Sequence, residues 1–272
     1  MPRPTESGVV TSADRGAPSH RRRRARWESA RQGRRLVGAC FVATLLATSA
    51  WPASALAQEG RPTLYVFLQL DVKPNVLEQT LQRQLPGLAV TVFGRFRDFQ
   101  DVVTTKRPDA ILAIPPLLEL DHTKPTLQGA KGGRDWESYV LVSAGGASQM
   151  QSLSGKTVGV VDLLGRDGTQ TFAAAVLKTP DVKVKRVAKI EDLLPLLEFS
   201  AADAILLPGV MVKRLTERTR LPLSVRDLPG AHVGLPGVAV LKPAARDIVV
   251  RSLLGLESET KNMLGIDNWS SR

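Results

Sequence analysis

The sequence predicts an α/β protein, with mainly parallel sheets arranged as two similar lobes. Two observations carry this. Short apolar runs alternate with amphipathic stretches over most of the chain, and several runs are apolar without interruption, as strands covered on both faces must be. Two blocks, 63–118 and 157–215, also repeat one order: strand, helix, strand, helix, then an Asp-Ala-Ile-Leu strand ended by proline. The matching pieces are Asp109-Ala110-Ile111-Leu112 and Asp203-Ala204-Ile205-Leu206.

Leu64 to Leu68 forms the first apolar run. Pro74-Asn75 opens a helix with Leu77, Leu81 and Leu85 on one face. A strand over 88–93, a helix over 97–106 and a buried strand over 110–114 follow, the last stopped by Pro115-Pro116. Residues 121–134 carry turn signals, with Gly129, Gly132 and Gly133. Strands follow at 139–142 and 157–161. A loop over 162–168 then feeds a helix over 169–177, and 182–187 alternates like a strand. Ile190, Leu193, Leu194 and Leu197 mark a helix whose first turn tolerates Pro195. Strands at 204–207, 223–225 and 238–241 precede helices at 244–254 and 257–264.

The N-terminus reads as an export leader over residues 1–57. A basic region containing Arg21 to Arg24 precedes the uncharged stretch 36–57, whose apolar centre is 36–46. Ala55-Leu56-Ala57 then offers an A-x-A junction, with cleavage between Ala57 and Gln58. The uncharged stretch is nearly long enough for a membrane anchor, but its last third is small and polar. Cys40 sits too early in the apolar run for a lipoprotein box, and the residues around Arg34-Arg35 fit a twin-arginine signal poorly.

Cleavage changes what the composition means. The leader holds ten arginines against three acids, so +7 of the net +11 leaves with it and the remaining 215 residues carry +4. No basic stripe with interleaved aromatics remains, which excludes a nucleic-acid partner. The chain's one cysteine, Cys40, also leaves, and with it any disulfide, thiol nucleophile or cysteine metal site.

Several pieces together resemble a known family. They are Ser138-Tyr139-Val140-Leu141-Val142-Ser143, Leu153-Ser154-Gly155-Lys156-Thr157-Val158-Gly159-Val160, Ala201-Ala202-Asp203-Ala204, Val238-Ala239-Val240-Leu241 and Leu264-Gly265-Ile266-Asp267-Asn268-Trp269. In this order they resemble type II periplasmic solute-binding proteins, in particular the phosphate/phosphonate-type group of ABC-transporter binding proteins. The resemblance implies a two-lobe periplasmic-binding-protein type II fold that closes on a small solute. Lobe 1 would span 58–142, completed by about 229–272, and lobe 2 would span 143–228. The implied protein is a periplasmic monomer that needs no cofactor. It captures a small polar or anionic solute, such as an oxyanion, for a membrane transporter permease. The alternative is an exported interaction or sensory protein with the same fold and no solute site.

Ligands of open α/β lobes sit beyond the carboxyl ends of the strands. That rule selects Gln69 and Asp71 after the first strand, Pro115 after the third, and Pro208 after the Ala204 strand. It also selects the stretch containing Arg166, Gly168, Thr169, Gln170 and Thr171. There a helix N-terminus offers free N–H groups, the threonines offer hydroxyls and Arg166 offers a bidentate cation. In the resembled family this loop is Ser/Thr-rich and grips the oxyanion; that dense pattern is absent here, and Asp167 would repel an anion or cap the helix. Trp136, in Arg134-Asp135-Trp136, is expected in the lobe core rather than against a solute. Among enzymatic signals, His122 and His232 lack metal-ligand spacing, no G-x-S-x-G elbow occurs, and Glu191-Asp192 falls on an exposed helix face. The chain is therefore expected not to be an enzyme.

Overall fold

The computed structural model describes residues 60–70, 72–120, 122–145 and 152–271. The leader, its Ala57/Gln58 junction and Asp71 lie outside the described residues. Two sheets organise the rest. In the first, β1 (Thr63–Phe67), β2 (Ala89–Phe93) and β3 (Ala110–Ala113) run parallel in the order β2-β1-β3, connected through α1 (Pro74–Gln84) and α2 (Phe96–Thr105). The second repeats the plan. In it, β6 (Thr157–Val161), β7 (Lys183–Val187) and β8 (Ala204–Pro208) run parallel as β7-β6-β8, connected through α4 (Gly165–Leu177) and α5 (Leu193–Glu198).

Strands arriving from the other direction complete each sheet and make both sheets mixed rather than mainly parallel. β10 (Gly237–Val240) pairs antiparallel with β3, then β4 (Leu127–Ala130) with β10 and β11 (Asn268–Ser271) with β4. In the second sheet β5 (Trp136–Ala144) pairs antiparallel with β8, and β9 (Leu223–Gly234) with β5. The expected lobe breaks at 142/143 and 228/229 fall inside β5 and β9, and both strands belong to the second sheet. β9 runs through Pro229-Gly230 because it bulges there: the pairing steps from Val140↔Asp227 to Ser138↔His232.

Alternation along the parallel strands divides the core. Leu64, Val66, Ala110 and Leu112 face one cluster with Leu77 and Leu81 of α1, Val249 and Leu253 of α7 (Arg246–Leu254), and Leu264 after α8 (Ser258–Met263). Tyr65, Phe67, Ile111 and Ala113 face the other. There Phe67 stacks on Phe99 with ring centroids 5.5 Å apart, and Phe93 meets Phe99 edge-on at 5.5 Å. This second cluster continues into Tyr139, Val160, Leu163 and Phe172 of the other sheet. Both faces of β1 and β3 are thus covered, which is why their sequences are apolar throughout. Among the described residues no helix is long and apolar enough to cross a membrane.

The repeated Asp-Ala-Ile-Leu pieces do the same work in each sheet. At the start of β3, Asp109 Oδ2 accepts from the Thr63 backbone N–H (2.6 Å) and hydroxyl (2.8 Å), and its Oδ1 pairs with Lys242 Nζ (2.8 Å). At the start of β8, Asp203 Oδ2 accepts from the Thr157 N–H (2.8 Å), and Oδ1 meets Lys156 Nζ at 3.4 Å. Burial acts to raise the Asp109 carboxyl, but the Lys242 and Thr63 bonds outweigh it and hold it below the usual carboxylate range. Asp109 is 16% exposed against 45% for Asp203, so the first clamp is the costlier to lose. We expect Asp109→Ala to destabilise by about 2–3 kcal/mol and Asp203→Ala by about 1 kcal/mol. Urea unfolding monitored by circular dichroism checks the order; equal losses would contradict it.

Candidate functional site

The carboxyl ends of the parallel strands of both sheets converge on one cavity of about 280 Å³. β1 delivers Phe67 to Leu70 and β3 delivers Ile114. β6 delivers Val160, Val161 and Leu163, and β8 delivers Leu206, Leu207 and Pro208. Val210 and Met211 follow β8, and Leu235, Pro236, Leu264 and Gly265 come from the chain's return to the first sheet. The wall is mainly hydrocarbon because it is built where two buried strand ends meet. Its polar groups are Gln69 and a run at the entry to β5: Lys131, Arg134, Glu137, Ser138 and Tyr139.

That entry run is ordered by stacking. Trp136 lies flat on His232 of β9, ring centroids 3.6 Å apart at 17°, and the Arg134 guanidinium carbon sits 5.2 Å from the Trp136 ring centre. Trp136 is half-buried and lines the cavity, so it belongs to the cleft wall rather than to a lobe core. Glu137 makes no hydrogen bond or ion pair among the described residues. Burial pushes its carboxyl up to about 7 against the opposing attraction of Lys131. Burial, and secondarily the Glu137 carboxylate, push the Tyr139 hydroxyl upward, so it is a neutral donor. Gln69 Nε2 is buried with no hydrogen-bond partner among the described residues. No cluster of three or more His, Cys, Asp or Glu side chains among the described residues is placed to hold a metal ion.

Of the residues selected from sequence, Gln69 and Pro208 line this cavity, and Asp71 lies outside the described residues. The others are elsewhere. Pro115 opens a helix, α3 (Pro115–Leu120), and its ring packs where a side chain on Gly234 would go. The expected loop at 165–168 is already the first turn of α4. Thr169 is buried; its hydroxyl donates to Asp162 Oδ1 (3.1 Å) and accepts from the Leu164 N–H (3.1 Å). Asp162 is also paired with Arg186 Nη1 at 2.5 Å. Gln170 donates to the Val182 carbonyl (2.8 Å), while Arg166 and Thr171 point to solvent.

Hydrocarbon packs against the start of this helix. Gly165 has a left-handed φ of +75°, and a Cβ there would lie 2.9 Å from the Phe96 ring. A Cβ on Gly168 would lie 2.8 Å from Leu164 and 3.8 Å from Leu120. The α4 N-terminus therefore faces side chains of the first sheet's helices, a poor setting for a desolvated anion.

Sequence reasoning missed Glu137. A charged residue just before an apolar run reads as a solvated rim, and β5 begins three residues earlier than its apolar core. The available signal was Trp136-Glu137-Ser138-Tyr139 itself, where a carboxylate sits between two aromatic residues.

No family model and no curated protein matches the chain. Solved structures do resemble it. A double mutant of the VFT2 domain of Bordetella pertussis BvgS aligns at 12% identity over 78% of this chain and 95% of that one, with a TM-score of 0.53. The substrate binding protein of an amino acid ABC transporter aligns at 16% identity over 76% and 96%, TM-score 0.50. XAC2383 from Xanthomonas citri, bound to ATP, aligns at 12% identity over 77% and 90%, TM-score 0.50. The chain thus has the two-lobe fold of periplasmic solute-binding domains.

Two expectations follow from the geometry. Thr169→Ala should cost about 1–2 kcal/mol by leaving buried partners unsatisfied, while Thr171→Ala stays within about 0.5 kcal/mol. Chemical denaturation separates them, and equal effects would mean that Thr169 has no such role. The Glu137 carboxyl is raised above its unfolded value, so the folded state binds the extra proton and stability should fall as pH rises through 5 to 7.5. The loss has an upper bound of roughly 3 kcal/mol before solvent screening. Urea midpoints across that window should slope downward in the native chain and lose most of the slope in Glu137→Gln.

Proposed function

We propose that this chain is an exported solute-binding protein. It acts in the periplasm as a monomer, capturing a small solute between its two sheets and presenting it to an ABC-type transporter. The reading needs no cofactor and no catalysis. The observation that carries it is the cavity at the carboxyl ends of strands from both sheets, with an unpartnered Gln69 amide and Glu137 carboxyl in its wall. Groups left unsatisfied in a desolvated cleft are what a solute satisfies on binding.

The solutes named for similar folds, amino acids and ATP, differ widely, so the cleft of this chain has to define its own. Its lining favours a partly apolar solute over phosphate or phosphonate. The hydroxyls that line it are those of Ser138 and Tyr139, and Thr169 is committed to Asp162 and Leu164. The basic leader with its Ala57/Gln58 junction supports export.

One observation favours a second reading, an exported sensory or interaction protein of this fold with no solute site. Phe96 packs against Gly165 at the start of α4, and the apolar cluster continues between the sheets.

Native mass spectrometry of the purified chain, with a thermal-shift panel of amino acids, organic acids, amines and oxyanions, separates the two. A solute at a hundred times its Kd stabilises by about 2.7 kcal/mol, which raises Tm by roughly 5–10 °C for a chain of this size. The solute-binding reading predicts a bound mass or such a shift. Silence on both counts overturns it in favour of the second reading.

A further inference from the structure

We propose that the cleft selects a small solute with an apolar body and a cationic nitrogen head seated against Glu137. This rests on the solute-binding reading and adds the chemical class of the solute. A cavity of about 280 Å³ lies near the lower end of the roughly 300–1,000 Å³ usual for small-molecule sites, so the solute is small.

The charges in the wall are unequally placed. Lys131 and Arg134 are exposed at the rim, and Arg134 already lies over the Trp136 ring. Glu137 is more buried and makes no hydrogen bond or ion pair among the described residues. A charge entering a mainly hydrocarbon site must be paired there. A cation meets the unpaired carboxylate, whereas an anion meets like charge there and finds Lys131 and Arg134 only at the exposed rim of the cavity. Gln69 Nε2, buried without an acceptor, asks for an oxygen or unprotonated nitrogen next to that cationic head.

Binding of such a solute is linked to protons. The groups around Glu137 are Lys131, Arg134 and Tyr139 on its own stretch and His232 from β9. Arg226 and Asp227 of β9 lie further along, opposite Leu141 and Val140. β8 and residues 209–211 contribute no titratable side chain. With its carboxyl near 7, Glu137 is about half protonated at neutral pH. Docking of an ammonium group leaves the carboxylate in an ion pair and sends the carboxyl proton to buffer.

Three probes with one body test this by titration calorimetry: phenylalaninol (ammonium and hydroxyl), hydrocinnamyl alcohol (neutral) and hydrocinnamate (anion). Phenylalaninol should bind most tightly, with affinity on the order of 100-fold lower at pH 5 than at pH 8, because only the ionised carboxylate is competent. Buffers of different ionisation enthalpy should register about half a proton released per solute bound near pH 7, rising toward one at lower pH. Glu137→Gln should weaken phenylalaninol at least tenfold at pH 8 and remove the pH dependence while keeping its native melting temperature at pH 5. Glu137→Asp, which keeps the charge, should restore part of both. No binding of phenylalaninol, tighter binding of hydrocinnamate or the alcohol, equal affinity at both pH values, or indifference to Glu137→Gln overturns the inference. The solute-binding reading falls separately, only if the wider panel is silent too.

Discussion

The carboxylate at the foot of each sheet's third parallel strand fixes the framework on which everything else depends. Asp109 bridges the starts of β1 and β3 and reaches the end of β10 through Lys242, and the Leu241 N–H donates to its carbonyl (2.8 Å). Asp203 makes the corresponding link between β6 and β8. Parallel strands hold each other less firmly per residue than antiparallel ones, and a shared acceptor at their amino ends fixes their register. With that end held, the carboxyl ends emerge together. Two such sheets can then face each other only across their strand ends, and the cleft is the gap between them.

What fills the rest of that gap determines the chemistry left over. Phe96, Phe99 and Leu117 of the first sheet's helices share one apolar cluster with Leu163, Leu164 and Phe172 of the second. This packing occupies the α4 N-terminus, which in an open lobe would be the natural seat of an anion. The free volume is pushed toward the crossing strands, where β5 brings its only carboxylate inward. Apolar contact between the sheets and the character of the remaining site are therefore one constraint: each side chain that stabilises the approach of the sheets also removes a polar seat.

The parallel framework was legible in the sequence because both faces of β1, β3, β6 and β8 are buried, and burial on two faces leaves an uninterrupted apolar run. The repeated Asp-Ala-Ile-Leu pieces were legible for the same reason, with the aspartate marking where each strand starts. β4 (Leu-Gln-Gly-Ala) and β11 (Asn-Trp-Ser-Ser) were not, since neither has strand composition and both exist only because β10 and β4 offer them an edge. The strand expected at 223–225 is only the start of β9, whose exposed Arg226 and Asp227 and bulged Pro229-Gly230 carry no apolar strand pattern. Gln69 and Pro208 followed from the carboxyl-end rule. Residues 165–171 obeyed the same rule and still missed the cavity, because what occupies the space before a helix is tertiary information that no local pattern carries.

Glu137 shows where local consistency and the fold part company. Most of β5 serves packing: Tyr139 to Val142 are buried and Trp136 rests on His232, although the buried Ser143 hydroxyl also has no hydrogen-bond partner among the described residues. A hydrophobic side chain of similar volume at position 137 would meet the same surroundings at lower cost, since a desolvated carboxylate without a partner destabilises the folded state near neutral pH. Burial outweighs the attraction of Lys131 for the charge, and no neighbour among the described residues neutralises it by direct contact. Departures of this kind from consistent local design are expected where a site acts on something outside the chain. The same holds for the buried Gln69 amide, which faces the same cavity from the opposite sheet. Two groups of complementary character, a donor on Gln69 and an acceptor on Glu137, are thus delivered to one cavity by different sheets without pairing with each other.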